Sequence, residues 1–341
     1  MLDSEIADKE IADTRYTAGA VTVSDPVLSD FSLPLRARYC AMGFAVEIAT
    51  NSNEVLAAAE ESWGGFQNKF SEPPLRLEIG VLAGGSHICP PPPECRSRGH
   101  LLTTVADARN FVVSDLSRGF AFAWFTQAAV ADRGYLRYYF LEATVLTLLE
   151  ALYLTPLHAA CVQNEGRGVL LCGESGAGKS SLAFACARSG WTFLSDDSSA
   201  LIRKRPGRLV VGNPHQMRFR EPAMELFPEL KRQRVTPRAT GKMAIELATL
   251  TLPEIATTAE CQVDYIVFLN RREPDSPGLF SLSKEIAQKY FEQYMCFGED
   301  GVHQAQRASI HDLLTAKVFE MRYRDLDWAV ERLTALVHEE S

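Results

Sequence analysis

The sequence predicts an α/β fold whose C-terminal part surrounds a phosphate-binding loop. Residues 173–180, Gly-Glu-Ser-Gly-Ala-Gly-Lys-Ser, fit the P-loop pattern G-x-x-x-x-G-K-[ST]. An apolar run at 168–172 precedes the motif and predicts a buried strand, and residues 181–189 predict a helix that ends at Gly190. Strand-like and helix-like segments then alternate along the rest of the chain, which is typical of an α/β nucleotide-binding core.

The glycine-rich motif predicts a nucleotide site. At a junction of strand, turn and helix, backbone N–H groups converge on an anion and the helix dipole favours negative charge. A glycine-rich turn with a solvated lysine would explain neither Ser180 nor the flanking elements. We therefore expect ATP to bind here, with Lys179 reaching the phosphates and Ser180 holding Mg²⁺. The predicted nucleotide-binding residues are Gly173, Glu174, Ser175, Gly176, Ala177, Gly178, Lys179, Ser180 and Ser181.

The composition is that of an ordinary globular protein. The 341 residues are 46% hydrophobic and 23% charged, with a net charge of −8. This acidic balance argues against nucleic-acid binding, and no apolar run reaches the roughly 18 residues of a membrane span. The acidic, mixed N-terminus is unlike a signal peptide. We therefore expect a cytoplasmic protein with no membrane association, whose eight cysteines are thiols.

The chain is predicted to contain two domains. Residues 1–15 are predicted to be a loose tail, residues 16–135 a smaller N-terminal α+β domain, and residues 136–341 the P-loop domain. The N-terminal domain is predicted to recruit the phosphate acceptor, on the basis of its position and mixed pattern alone.

Local patterns predict the elements of both domains. The predicted helices are 54–63 (with Asn53 as N-cap), 138–153, 181–189, 283–295, 310–316 and 326–338. The predicted strands are 75–81, 157–162, 168–172, 191–194, 199–202, 263–269 and 318–322, with a hairpin around Arg118-Gly119.

Two consecutive aspartates stand where an α/β sheet holds its ligand. Asp196 and Asp197 follow an apolar run that is predicted to end beside the P-loop. Phosphoryl transfer needs carboxylates for the metal ion and for the attacking hydroxyl. Neighbouring strand residues point to opposite faces, so one carboxylate is predicted to face Mg²⁺ and the other the acceptor. A polar turn after a strand is the alternative interpretation.

His158 lies on the predicted strand before the P-loop strand. A histidine at that place can orient a carboxylate or tune its pKa. Taken alone, such a histidine is more often a core residue with satisfied hydrogen bonds.

These features together resemble a known family. The runs Leu157-His158-Ala159-Ala160 and Phe193-Leu194-Ser195-Asp196-Asp197, together with the P-loop, are similar to the HPr kinase/phosphorylase family. His158 lies 21 residues before Lys179 and Asp196 lies 17 after it, which matches the family's order and spacing. The resemblance covers about residues 155–335 and implies a P-loop core related to phosphoenolpyruvate carboxykinase.

The resemblance also implies roles for individual residues. The catalytic residues would be His158, Lys179, Asp196 and Asp197. Asp197 would be the base that accepts the hydroxyl proton, Asp196 would assist with Mg²⁺, and His158 would support the aspartate pair. Relatives of HPr kinase can form oligomers, so the resemblance leaves a homo-oligomer open.

The chain departs from HPr kinases at two motifs. Those enzymes usually carry glutamate where this chain has Ser181, and their glycine-rich second signature is absent, with residues 241–247 as its nearest analogue. The departures favour relatives such as lasso-peptide kinases, which phosphorylate a C-terminal serine, over HPr kinase itself. The predicted function is an ATP-dependent kinase acting on a serine hydroxyl of a peptide or protein. A small-molecule sugar or alcohol kinase and an NTP-binding regulatory protein are the alternatives.

Two further groups of residues carry weaker predictions. Lys242, Arg271 and Arg272 are candidates for stabilising the charge on the transferring phosphoryl group, and the sequence does not decide among them. The four potential zinc ligands in one short segment are His87, Cys89, Cys95 and His100. Their C-x5-C spacing is unlike the usual knuckle and four prolines stiffen the segment, so we favour an exposed rigid loop.

Overall fold

The computed structural model describes residues 32–83, 87–203, 205, 207–237, 243–271, 277–295 and 297–339. From Leu33 onward the chain forms one compact unit. The predicted loose tail at 1–15 lies outside the described residues, as do Lys242 and Arg272. The predicted division near residue 135 stays a prediction.

The first sheet has seven strands and takes up the first part of the described chain. Its strands are β1 (Leu35–Ala41), β2 (Phe44–Thr50), β3 (Leu75–Leu82), β4 (Glu94–Arg98), β5 (Leu101–Asp107), β6 (Asn110–Asp115) and β7 (Phe120–Thr126), in the order β1-β2-β3-β7-β6-β5-β4. Helix α1 (Asn53–Trp63) connects β2 to β3, which pair in parallel. The predicted helix at 54–63, the strand at 75–81 and the hairpin around Gly119 are confirmed.

A helical connection leads from this sheet to the next. It consists of α2 (Gln127–Ala131), α3 (Arg133–Tyr135), a π-helix (Leu136–Glu142) and α4 (Ala143–Leu152). The single predicted helix at 138–153 is therefore several consecutive segments. The N-cap of α1 is Ser52 rather than the predicted Asn53, and the Ser52 hydroxyl donates to the Glu54 carboxylate.

The second sheet has nine strands and contains the P-loop. Its strands are β8 (Leu154–Pro156), β9 (Ala160–Asn164), β10 (Arg167–Cys172), β11 (Thr192–Ser195), β12 (Ala200–Ile202), β13 (Leu209–Val211), β17 (Glu260–Asn270), β18 (Gly278–Ser281) and β19 (Lys317–Arg322). Strands β10, β17 and β19 run parallel, so their carboxyl ends meet at one edge. The remaining pairings in this sheet are antiparallel.

The remaining elements surround that sheet. A small sheet consists of β14 (Gln216–Phe219), β15 (Val235–Pro237) and β16 (Met243–Ala248). The helices are α5 (Lys179–Arg188), α6 (Ala223–Leu226), α7 (Lys284–Glu292), α8 (Asp300–Leu313) and α9 (Leu326–His338), with 3-10 turns at Pro228–Arg232 and Thr249–Thr251. Helix α9 matches its prediction. The prediction of a helix at 310–316 is wrong at both ends, because α8 begins at Asp300 and ends at Leu313.

Burial on both faces explains the apolar run of β10. Val169 and Leu171 pack in the core that contains α5 and α9, whereas Leu170 and Cys172 pack in the core that contains α7 and α8. A strand covered on both faces is apolar at every position instead of alternating. The fold is therefore mixed α/β, as predicted. Among the described residues, the helices are too short or too polar to span a membrane.

Candidate active site at the phosphate-binding loop

The P-loop leaves the carboxyl end of β10 and leads directly into α5. Helix α5 begins at Lys179, and its N-cap is Gly178, with φ of 103°. The first amides of a helix have no intrahelical acceptor, and this cap has no side chain to accept from them. Glu174, Ser175 and Gly176 in the loop are exposed. The loop therefore presents donors toward solvent, as an anion site requires.

Close packing at Gly178 excludes any larger residue there. A Cβ at this position would lie 2.9 Å from the hydroxyl of Tyr323 and 3.5 Å from Cδ of Arg271. Tyr323 follows β19 and Arg271 follows β17, so both reach the loop from the ends of neighbouring parallel strands. The Tyr323 hydroxyl is buried and has no hydrogen-bond partner in the described part of the chain. Burial raises the pKa of Tyr323 to about 12, so the group stays a neutral donor.

Lys179 is buried at the centre of the site. Its side chain is 6% exposed, and its ammonium donates to the main-chain oxygen of Gly173 at 2.8 Å. The same Nζ lies 3.2 Å from Nε2 of His158 and 3.4 Å from Oδ1 of Asp197. The structure thus brings together three of the four predicted catalytic side chains. They come from positions 158, 179 and 197, before, within and after the P-loop segment.

The surroundings of His158 indicate its protonation. An ammonium only donates, so Nε2 faces Lys179 as an acceptor and the ring proton is inferred to lie on Nδ1. Nδ1 lies 3.6 Å from Oδ1 of Asp197, which is longer than a hydrogen bond. Burial lowers the pKa of His158, Lys179 lowers it further, and Asp197 opposes them. A neutral imidazole therefore fits between the cation and the carboxylate.

The backbone of His158 is not a strand, contrary to the prediction for 157–162. Strand β9 begins at Ala160, and His158 has φ of 42°, in the left-handed region. The Tyr290 hydroxyl donates to the His158 main-chain oxygen at 3.0 Å and lies 3.1 Å from the Gly173 amide. The Tyr294 ring lies 4.5 Å from the imidazole. Helix α7 therefore supports the strained turn that aims the histidine at Lys179.

The two aspartates have different surroundings. Asp197 is half-exposed and faces Lys179 and His158. Asp196 is buried, and its carboxylate accepts from the Arg218 amide at 2.6 Å. Burial raises the pKa of Asp196 to about 6, and the neighbouring Asp197 charge adds to the rise. Both residues lie in the bend after β11 rather than on the strand.

The predicted Mg²⁺ ligands Ser180 and Asp196 lie close together, but Asp196 approaches Ser180 with its main-chain oxygen and not with its carboxylate. The Ser180 hydroxyl lies 3.5 Å from the main-chain oxygen of Asp196, while the Asp196 carboxylate turns toward Arg218. Hydroxyl and carbonyl oxygens are ligands that Mg²⁺ accepts, and Mg²⁺ binding at this place stays a prediction. The role of the Asp196 carboxylate in metal binding stays a prediction.

Several site residues were missed by sequence reasoning. Tyr290 and Tyr323 lie far from the motif in the chain, and no local pattern singles them out. Arg220 donates to the Ser175 hydroxyl at 2.5 Å, which places a second arginine at the loop besides Arg271. Arg271 was among the predicted candidates, because it follows a predicted strand of the same sheet.

The four potential zinc ligands do not form a metal site in the described part of the chain. Within the described residues, no three His, Cys, Asp or Glu side chains are placed to hold a metal ion together. Cys95 instead contacts the Thr104 hydroxyl at 3.5 Å, and His100 lies 3.9 Å from Glu299. The favoured interpretation of an exposed segment agrees with the exposure of Cys95.

Comparisons with known proteins give little for this chain. No family model matches the sequence, and no curated protein matches it. A solved structure of the HPr(Ser) kinase/phosphatase from Coxiella burnetii matches with a TM-score of 0.33 and 14% sequence identity, over 54% of this chain and 91% of that chain. The family resemblance therefore stays a prediction.

We predict that Gly178→Ala weakens nucleotide binding. The added Cβ would meet the Tyr323 hydroxyl at 2.9 Å, so the loop must move and displace its amides. The expected loss of ATP affinity is on the order of 10-fold, comparable to one charge-assisted hydrogen bond. Gly190→Ala is the matched control, because Gly190 has φ of 89° with nothing within 4 Å of its Cβ position. Both variants should lose about 1–2 kcal/mol of stability, but equal ATP affinities would contradict the prediction.

We predict a pH-dependent stability effect at Asp196. Its pKa is about 6 in the folded protein against an ordinary 3.8, so the folded state holds the proton longer and the free energy of unfolding falls as pH rises between these values. Asp196→Asn keeps an acceptor for the Arg218 amide but cannot ionise. Relative to wild type, its unfolding free energy should rise by about 2 kcal/mol from about pH 4 to about pH 7.

Urea unfolding across that pH range checks this expectation. Asp312→Asn is the control, because Asp312 is exposed on α8. Parallel pH profiles for Asp196→Asn and wild type would show that the buried carboxyl does not titrate as described.

Proposed function

We propose that this protein is an ATP-dependent phosphotransferase that uses an alcohol as acceptor. The observation that carries the proposal is the meeting of Lys179, Asp197 and His158 within 3.6 Å at the N-terminus of α5. A buried cation, a solvent-accessible carboxylate and a row of helix amides are the groups that phosphoryl transfer needs in one place. A site for binding alone would need no carboxylate aimed at the lysine.

The loop and Lys179 would hold the nucleotide phosphates. Lys179 is already directed to the loop through the Gly173 oxygen, so it requires little reordering to meet a phosphate. Mg²⁺, held near Ser180, would neutralise charge on the phosphate oxygens. Arg220 and Arg271 at the loop are candidates to stabilise the charge that develops during transfer.

Asp197 would act as the general base. Its carboxylate is half-exposed, so an incoming hydroxyl can reach it, and proton removal makes the oxygen a better nucleophile. Neutral His158 would hold the carboxylate through Nδ1 and keep its orientation when Lys179 turns to the phosphates. In this role His158 is a positioning residue. The acceptor would be a serine hydroxyl of a peptide or protein, or the hydroxyl of a small molecule.

We predict that Asp197→Asn abolishes phosphoryl transfer while ATP still binds. Loss of a general base should lower kcat by about 10²–10⁴-fold. Nucleotide affinity should not fall, because the carboxylate competes with phosphate for Lys179. Label transfer from γ-labelled ATP with Mg²⁺ measures the first quantity, and calorimetric titration with ATP measures the second.

We predict that Lys179→Ala, in contrast to Asp197→Asn, mainly weakens ATP binding. Asp312→Asn is the control for both variants, because Asp312 is exposed on α8. Removal of the ammonium should weaken ATP binding by about 10–100-fold, as expected for a charged hydrogen bond. If Asp197→Asn turns over normally, the base assignment is wrong. If wild type binds ATP but labels no acceptor, the protein is an NTP-binding regulator instead.

A further inference from the structure

Tyr323 carries a buried hydroxyl that has no hydrogen-bond partner in the described part of the chain. The residue is 1% exposed and follows β19 at the carboxyl edge of the P-loop sheet. A buried polar group without a partner lowers the stability of the folded state, so such groups are rare in native proteins. Phenylalanine would fill the same space without that loss. Packing alone therefore does not explain the hydroxyl.

The hydroxyl faces the phosphate-binding loop at Gly178. A Cβ on Gly178 would lie 2.9 Å from the Tyr323 oxygen, so the bare α-carbon of this glycine lets the two approach. Gly178 is the N-cap of α5, and the first amides of a helix have no intrahelical acceptor. Helix α5 is ten residues long, and its dipole adds to the attraction for an anion. A donor without a partner and the first amides of a helix therefore lie at the same place.

Arg271 adds a cation beside that donor. Its Cδ and Nη1 atoms lie 3.5 Å and 3.8 Å from the Cβ position of Gly178. Its guanidinium lies over the Tyr323 ring, 5.7 Å from the ring centre. Arg271 is exposed, so its side chain can turn toward a ligand without disturbing the core. An anion at the N-terminus of α5 is thus within reach of a guanidinium and of a neutral hydroxyl donor.

Strand order indicates which part of a nucleotide these two side chains meet. Strands β9 and β11 lie on one side of β10, and they place His158 and Asp197 there. Strands β17 and β19 lie on the other side, and they place Arg271 and Tyr323 there. The amides of a P-loop hold the α- and β-phosphates, and its lysine reaches the β- and γ-phosphates. With the γ-phosphate directed to Asp197, the rest of the nucleotide extends toward β17 and β19.

We propose that the Tyr323 hydroxyl and the Arg271 guanidinium bind the phosphates that stay on the nucleotide after transfer. The inference rests on the proposed phosphotransferase function and fixes the direction in which the nucleotide lies across the sheet. Tyr323 donates to a phosphate oxygen, which supplies the partner that its hydroxyl lacks. Arg271 turns from the phenol ring to the same part of the phosphate chain. Both contacts are made to ADP as well as to ATP, so both contribute to nucleotide affinity.

Tyr323→Phe tests the inference, because it removes the hydroxyl and keeps the ring. Without nucleotide, the urea midpoint of this variant should equal or exceed that of wild type, since an unpaired buried group is removed. Calorimetric titration should show that the ATP and ADP affinities fall by the same factor, on the order of 10-fold, as for a hydrogen bond to a charged group. Tyr265→Phe is the matched control. Tyr265 is a buried tyrosine of β17 whose hydroxyl accepts from Arg167 at 3.1 Å, so its loss should lower the midpoint and leave both affinities unchanged.

Arg271→Gln is a second variant that should fold normally, because Arg271 is exposed. It should lower the affinities for ATP and ADP together, again on the order of 10-fold. Arg232→Gln is its control, because Arg232 is exposed on the 3-10 turn at Pro228–Arg232 and should leave both affinities unchanged. Equal affinities in Arg271→Gln and wild type would overturn the role of the arginine.

Three results would overturn the role of the hydroxyl. A midpoint that falls in Tyr323→Phe as it does in Tyr265→Phe shows that the hydroxyl has a partner in the free protein. Unchanged nucleotide affinities show that binding does not use it, and a loss confined to ATP places it at the γ-phosphate instead.

Label transfer from γ-labelled ATP judges the kinase proposal separately. If wild type binds ATP and ADP, the variants weaken both, and no acceptor is labelled, the nucleotide contacts stand and the kinase falls. If an acceptor is labelled while Tyr323→Phe and Arg271→Gln bind both nucleotides as wild type does, the kinase stands and the inference falls. If wild type binds neither nucleotide, both are rejected.

Discussion

The buried ammonium of Lys179 is the interaction on which the site depends. A cation at 6% exposure must find compensating partners, because desolvation of an unpaired charge costs far more than a fold can supply. Its partners are the Gly173 oxygen, the His158 ring and the Asp197 carboxylate, drawn from three separate segments. Because one charge needs all three, the loop, the histidine turn and the aspartate turn are held in fixed relation.

Parallel strand order explains why these segments meet. Strands β10, β17 and β19 end at the same edge, where they deliver the P-loop, Arg271 and Tyr323 to one place. Helices on both faces bury the sheet, while the loop beyond its edge is exposed. Tyr290 on α7 then joins the loop to the His158 backbone, which links one helical layer directly to the chemistry.

The aspartate turn divides two environments. Asp197 faces the phosphate side, and Asp196 faces a cavity that the N-terminal part of the chain closes. The N-terminal part contributes Ser62 and Trp63 of α1 to the wall of that cavity.

The sequence by itself determined the local features of this protein. The P-loop, the strands at β10 and β19 and the helix α9 follow from residue type, periodicity and motif spacing, which act over a few positions. Tertiary structure alone decided the left-handed turn at His158, the atom of Asp196 that faces Ser180, the supporting tyrosines and the cavity. Each of these depends on contacts between segments tens to more than a hundred residues apart, and pairing at that distance leaves no periodic mark in the chain.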